Sequence, residues 1–225
     1  MDGHTYLCVH FRNRIAPAET GFLRGALISR FNDNVLFHNH VGGNYRYRYP
    51  LVQYKSVGGC AAVVGIDEGA DALKPLSGGL NLECRLGRRP VSLEIRSVES
   101  GWFSVGLSDE MTRYSIRNWL PLNQDNYRTF QSVRLLSDRV KMLEKILVSN
   151  ILSFSKGIGV YWESDIVCNL LDMRMGAPFA YKGVELTSVD AVFETNVCGL
   201  PSYIGLGKGA SVGKGVIFRA DSRVE

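Results

Sequence analysis

Leu51-Val52-Gln53-Tyr54-Lys55-Ser56-Val57-Gly58-Gly59-Cys60-Ala61-Ala62-Val63-Val64-Gly65-Ile66 decides the fold of the first half of this 225-residue chain. Two apolar runs, 51–57 and 60–66, are separated by two glycines. Glycine takes positive φ without steric cost, which a two-residue hairpin turn needs at its centre. The stretch therefore reads as a β-hairpin. Upstream, residues 5–12 alternate, with Leu7, Val9 and Phe11 on one side and Tyr6, Cys8, His10 and Arg12 on the other, the pattern of a half-buried strand. Thr20 is placed to cap a helix over 21–31, with Phe22, Leu23, Ala26 and Leu27 on its apolar side. Downstream, Asp67-Glu68 open a short helix that ends near Leu76 and is stopped by Ser77-Gly78-Gly79. Residues 80–86 and 91–98 read as strands around the turn Gly87-Arg88-Arg89-Pro90. The order is β-α-β-β-α-β, the ferredoxin-like order shared by RNA-recognition modules.

The second half is less regular. Residues 112–120 make a first strand. Val133, Leu136, Val140, Leu143, Leu147 and Phe154 recur at helical spacing and predict one helix over 131–155. Short strands are expected at 166–171, 179–181, 184–186 and 191–195, and a last one at 216–219. A degenerate second copy of the module fits, with the boundary between 106 and 111. The expected fold class is α+β: tandem ferredoxin-like (RRM-like) βαββαβ modules over 1–108 and 109–225, the second degenerate.

Hydrophobic residues make up 45% of the chain and charged residues 21%; the mean hydropathy is −0.03. These are ordinary for a globular protein with a proper core. No segment approaches the roughly 20 apolar residues of a membrane span, so no membrane partner is expected. Met1-Asp2-Gly3-His4-Thr5 has neither a basic flank nor a small-residue cleavage site, and no signal peptide is expected. The five cysteines, Cys8, Cys60, Cys84, Cys168 and Cys198, are scattered and form no Cys-x-x-Cys. That argues against a disulfide framework or a zinc site and fits a reducing, cytoplasmic setting. The net charge of +4 is compatible with a polyanion partner. Its distribution says more: between residues 21 and 55 stand Arg24, Arg30, Arg46, Arg48 and Lys55 against one acid, Asp33. Arg85, Arg88 and Arg89 form a second cluster. A third, from Arg113 to Lys145, reads as solvated surface.

Two of the four histidines lie in Phe37-His38-Asn39-His40, just before Asn44-Tyr45-Arg46-Tyr47-Arg48-Tyr49-Pro50. Histidine exchanges protons near neutral pH. Arginine pairs with phosphate through a planar fork, and tyrosine offers a face for base stacking. Together they point to work on a nucleic-acid backbone. The segment is expected to be a loop. On an extended stretch His38 and His40 point the same way, so both can face a substrate; one of them can instead hold the loop. Tyr45, Tyr47 and Tyr49 can equally form a half-buried strand face.

The second informative stretch is Gly205-Leu206-Gly207-Lys208-Gly209-Ala210-Ser211-Val212-Gly213-Lys214-Gly215. A phosphate loop needs four residues between its glycines and a hydroxyl after the lysine. Here Gly209 and Gly213 enclose three, and Gly215 follows Lys214. A dinucleotide fingerprint would have to open a helix early in a βαβ unit, whereas this run feeds a strand near the end of the sequence. No nucleotide cofactor is expected. Two readings remain: a loop whose backbone and lysines approach a polyanion, or a turn packed against a sheet.

In this order, Phe22-Leu23-Arg24-Gly25-Ala26-Leu27, Leu36-Phe37-His38-Asn39-His40, Tyr47-Arg48-Tyr49-Pro50-Leu51-Val52-Gln53-Tyr54-Lys55 and the glycine stretch resemble the CRISPR-associated endoribonucleases of the RAMP superfamily. These process precursor CRISPR RNA, and the likeness is to their subtype I-B form. The resemblance implies cleavage within repeat RNA by ribose 2′-hydroxyl attack, leaving a 2′,3′-cyclic phosphate and a 5′-hydroxyl, with no metal and no cofactor. It implies catalytic roles for His38 or His40, helped by Tyr47 and Lys55. It implies RNA contacts by Arg30, Arg46 and Arg48 and by Gly205, Gly207, Lys208, Gly209, Gly213, Lys214 and Gly215. The partner is CRISPR repeat RNA, precursor and mature; other effector-complex subunits and a homodimer are compatible with it. The alternative is a superfamily member that holds RNA in an effector complex and does not cut.

Overall fold

A computed structural model describes residues 3–31, 34–37, 40–41, 44–45, 49–78, 82–181 and 184–220, with side chains undescribed at 40, 41, 44, 45, 77, 124, 125, 177–181, 184 and 185. The chain forms two units. The first is residues 1–104 with Ser211–Gly213 and 224–225; the second is 105–210 with 214–223.

In the first unit β1 (His4–Arg14) leads through a 3-10 turn, Pro17–Glu19, into α1 (Thr20–Arg30). Thr20 is not the cap: it is the first helical residue, and its hydroxyl lies 2.9 Å from the carbonyl oxygens of both Pro17 and Val212. The short strands β2 (His40–Val41) and β3 (Asn44–Tyr45) follow, with His40 opposite Tyr45. Next come β4 (Val52–Val57), β5 (Cys60–Ile66) and α2 (Glu68–Ser77). Gly58 and Gly59 turn at φ 56° and 74°, as a primed hairpin turn demands.

The predicted strand over 91–98 is two strands. β6 (Leu82–Leu86) pairs with β7 (Arg89–Leu93), and β8 (Ile95–Phe103) pairs with β1. The break is held by Asn13, whose side chain accepts from the Glu94 amide and donates to the Ser92 carbonyl, both at 2.8 Å. The sheet order β4-β5-β1-β8 is antiparallel throughout and is the ferredoxin-like order. Leu7, Val9 and Phe11 of β1, Leu23 and Leu27 of α1, and Leu73 and Leu76 of α2 share one core with Tyr54 and Val63. Each fully buried aliphatic side chain there contributes about 1.5–3 kcal/mol.

The second unit holds β9 (Gly106–Trp119), α3 (Gln124–Ser132), α4 (Leu136–Gly157), β10 (Cys168–Tyr181), β11 (Val184–Cys198) and β12 (Val216–Arg219). β9 runs through the stretch expected to hold the boundary. The helix predicted over 131–155 is α4, which begins at Leu136; the first residues of that span are the end of α3 and the break after it. Asn123 caps α3, its side chain accepting from the Asn126 amide at 2.8 Å. Arg139, read from sequence as solvated, donates from Nε to the Val133 carbonyl at 2.8 Å and stands 5.3 Å over the Phe130 ring. It thus satisfies a carbonyl at the C-terminal end of α3. Leu143, Leu147 and Phe154, read from the helical spacing, form the buried stripe of α4 together with Ile151, whereas Leu136 of the same pattern is exposed.

The four short strands predicted between 166 and 195 are two long ones paired as a hairpin. β10 contains Gly176 and Pro178, is an edge strand, and shifts register between Met175 and Pro178. An edge tolerates proline because the missing N–H is not needed by a neighbour. The order β10-β11-β9-β12 repeats that of the first sheet. Where the second helix of a complete module would lie, between its third and fourth strands, this unit has the glycine-rich stretch. The module is degenerate in that physical sense. Among the described residues no helix is long and apolar enough to cross a membrane.

Candidate active site

The site is built around β4. Successive side chains of a strand point to opposite faces, and Gln53 and Tyr54 use both. Tyr54 is 0% exposed, and its hydroxyl donates to the Phe37 carbonyl at 3.0 Å. Phe37 is buried too and stacks on Phe31, ring centroids 4.8 Å apart. It ends a 3-10 turn, Val35–Phe37, whose closing amide donates to Asn34 O at 3.1 Å. On the other face Gln53, also 0% exposed, donates from Nε2 to the Tyr49 hydroxyl at 2.8 Å and to the Pro50 carbonyl at 2.9 Å. Phe37 and Tyr49 bound the histidine segment. Adjacent residues of one strand therefore tie down both ends of 38–48.

Of the residues predicted there, His38, Arg46, Tyr47 and Arg48 lie outside the described residues. His40 is placed by its backbone alone, in the short ladder opposite Tyr45; the stretch expected to be a loop is in this part a strand pair. Arg30 is exposed in the last turn of α1, where a cation complements the helix dipole. Of the tyrosine series Tyr49 alone has a described side chain, and it is buried.

Lys55 is 0% exposed, on the same face of the sheet as Gln53. Burial pulls its ammonium down to about 7, with Cys8 pulling the other way. Cys8 is itself pushed up to about 12, first by burial and then by Glu99. Its sulfur lies 3.1 Å from His10 Nε2, which is 3.1 Å from a Glu99 carboxylate oxygen. Lys55 is thus not presented to solvent as a phosphate-binding cation would be. Its titration has a measurable consequence. Between pH 7 and 10.5 the unfolded chain holds a proton on this lysine that the folded protein has largely shed, so stability from this position rises with pH there and is lowest below pH 7. In urea denaturation, wild type should gain about 2 kcal/mol over the Lys55→Met variant from pH 7 to pH 9. A difference that does not move with pH would mean that folded Lys55 stays charged.

The glycine stretch is a structured turn over most of its length. Leu206 N donates to Gly215 O at 2.8 Å, and Gly215 N to Asn118 O at 3.1 Å. Gly205 bridges to Val216. Gly207 (φ 80°) is backed by the Asn150 side chain, whose oxygen accepts from Trp119 Nε1 at 2.8 Å. A Cβ at 215, where φ is 60°, would sit on the Leu206 carbonyl oxygen. Gly209 also has positive φ. Lys208 is exposed, whereas Lys214 is half-buried and its ammonium is pulled down by desolvation. Ser211–Gly213 counts with the first unit: Ser211 O accepts from Tyr54 N at 2.8 Å, Val212 forms a parallel bridge with Tyr54, and Gly213 lies against Thr20 and the Tyr54 carbonyl.

Sequence reasoning therefore missed Gln53 and Tyr54 as anchors, since both read as ordinary strand residues. It also missed that Ser211 and Val212 extend the β4 edge. No local signal marks a hydrogen bond to a carbonyl 17 residues away. Among the described residues no group of three or more His, Cys, Asp and Glu is placed to hold a metal ion.

Residues 4–102 match the family model described as the Cas6b N-terminal domain, and residues 106–220 match the Cas6b C-terminal domain. An uncharacterized protein of Methanocaldococcus jannaschii is 31% identical over 134 residues, 57% of this chain and 89% of that protein. A crystal structure of Cas6b shares the fold at TM-score 0.88 and 23% identity, over 97% of this chain and 100% of the other. A crystal structure of the CRISPR RNA processing endoribonuclease Cas6b does so at 0.74 and 21%, with the same coverage. A Cas6 product complex matches at 0.55 and 15%, over 98% of this chain and 100% of its own.

Proposed function

This chain belongs to the Cas6b family, and from that premise we propose that it is an endoribonuclease that cuts CRISPR repeat RNA in precursor transcripts. The observation that carries the reading is that both halves, nearly end to end, match the two Cas6b domains. A solved relative is itself a CRISPR RNA processing endoribonuclease. The histidine segment supports the chemistry, since its two ends are anchored while the residues between carry two imidazoles, two guanidinium groups and phenols.

In the proposed reaction one side chain removes the proton of a ribose 2′-hydroxyl. The 2′-oxygen then attacks the adjacent phosphorus and the 5′-oxygen leaves, taking a proton from a second side chain. A 2′,3′-cyclic phosphate and a 5′-hydroxyl result, with atoms and charge balanced and no metal required. His38 and His40 are assigned the proton transfers, with Tyr47 beside them. Lys55, being buried, is assigned a supporting role and not a contact with the phosphate. Arg30, Arg46, Arg48 and Lys208 are assigned to the RNA backbone, and Lys214 a lesser share. Gly205, Gly207, Gly209 and Gly215 shape the turn that presents Lys208; Gly213 lets the backbone pass close to Thr20 and Tyr54. Assembly with other effector subunits, or into a homodimer, belongs to the same reading and is checked by sizing the protein with and without RNA.

Incubation of labelled repeat RNA in EDTA, followed by end-group analysis, tests the proposal. Cleavage should persist and leave the cyclic phosphate and the 5′-hydroxyl. Dependence on a divalent cation, or 3′-hydroxyl and 5′-phosphate ends, would overturn the mechanism. Tight binding without cleavage would favour the alternative, a family member that holds RNA and does not cut.

A further inference from the structure

The histidine segment carries the proposed chemistry, yet what holds it lies outside it. Tyr54 reaches one end through the Phe37 carbonyl, one residue before His38. Gln53 reaches the other through the Tyr49 hydroxyl and the Pro50 carbonyl. We propose that Tyr54 and Gln53 are positioning residues for RNA cleavage, acting through residues 38–48 and not on the RNA, an inference that rests on the nuclease reading above.

Three observations support it. Both side chains are completely buried, so neither touches a substrate. Burial pushes the Tyr54 phenol well up, with Arg24 pulling the other way, so it is a neutral O–H donor at any working pH. Finally, Tyr54 is itself held from behind: its amide donates to Ser211 O at 2.8 Å, and Val212 O lies 2.9 Å from the Thr20 hydroxyl. Without that strap β4 would be a bare sheet edge, since no other strand flanks it among the described residues. Catalytic groups misplaced by about 1 Å lose on the order of 100-fold in rate. A hydroxyl that fixes the carbonyl next to His38 therefore has leverage out of proportion to one hydrogen bond.

The test compares wild type, Tyr54→Phe and Gln53→Met, with and without the His38→Ala/His40→Ala pair. Tyr54→Phe keeps the ring and removes only the donor. It should lower the single-turnover rate by about 10- to 100-fold and leave the affinity for a repeat RNA carrying a 2′-deoxy scissile nucleotide unchanged. In the double-alanine background the same substitution should do nothing more, because it acts through the histidines. A merely structural role would lower the rate by the same factor in both backgrounds, and that result overturns the inference, as does a parental rate for Tyr54→Phe. Gln53→Met should act in the same direction and carries the test if Tyr54→Phe does not fold. A second arm needs no activity. In NMR spectra of the four imidazoles, Tyr54→Phe should move the His38 or His40 signals and leave His4 and His10 in place. If wild type does not cut RNA at all, the nuclease reading fails while this arm still decides the anchoring; unmoved His38 and His40 signals overturn it.

Discussion

Alanine at both His38 and His40 should lower the single-turnover cleavage of repeat RNA by about 10²–10⁴-fold, the usual loss when a general acid or base is removed. RNA affinity should stay close to the parental value, since the proposed phosphate contacts come from Arg46, Arg48, Arg30 and Lys208. Of the single variants, His40→Ala should fall furthest and His38→Ala by a similar or smaller factor. The fold should survive, because Phe37 and Tyr49, which the substitutions leave in place, keep their bonds to Tyr54 and Gln53. Cleavage at the parental rate by the double variant would remove both residues from the mechanism. Equal loss of rate and of binding would make them RNA contacts instead.

The second large effect belongs to the glycine stretch. Gly215→Ala should destabilise the protein by about 3 kcal/mol or more. A left-handed backbone costs a non-glycine residue about 1–3 kcal/mol. Forcing a Cβ against the backbone of buried Leu206 adds a further share of about 1–3 kcal/mol. Thermal unfolding should then come roughly 10 °C earlier. Lys208→Ala should show the reverse pattern: unchanged unfolding, weaker RNA binding, and a salt dependence flatter by a slope of about 0.7. The contrast separates the two roles combined in this stretch. If Gly215→Ala melted like wild type but lost RNA affinity, the glycine would be a site of phosphate approach and not a packing position.

Gly213 shows why such roles are hard to assign from a glycine pattern. A Cβ there would meet Thr20 Cγ2 at 3.2 Å, on a backbone whose φ of 76° side chains rarely adopt. A substitution would loosen the strap on β4 whether or not RNA ever touches the loop. The sequence pattern is the same for a glycine that yields to a ligand and for one that yields to its own protein.

The ferredoxin-like order of the first half was legible because each element carries its own local signal: the Gly58-Gly59 turn, the alternation from Leu7 to Phe11, and the acidic opening of α2. The glycine stretch was legible as something other than a phosphate loop, because spacing alone rules that out. Other features needed the tertiary structure. Arg139 looked like one more exposed cation until its guanidinium was seen over Phe130, with its Nε at the Val133 carbonyl. Lys55 read as a helper of the catalytic histidines, and only the tertiary structure shows it buried, with its ammonium drawn down to about 7.

What the sequence by itself determined is therefore the chemistry on offer and the order of the local elements: two histidines among arginines and tyrosines, a two-glycine hairpin, and a module repeated in degenerate form. What only the tertiary structure decided is which residues hold that chemistry in place. Propensity and periodicity act over a few residues along the chain, whereas the hydrogen bonds that Tyr54 donates to Phe37 and to Ser211 join positions 17 and 157 residues apart. Such contacts exist only once the strands have been brought side by side.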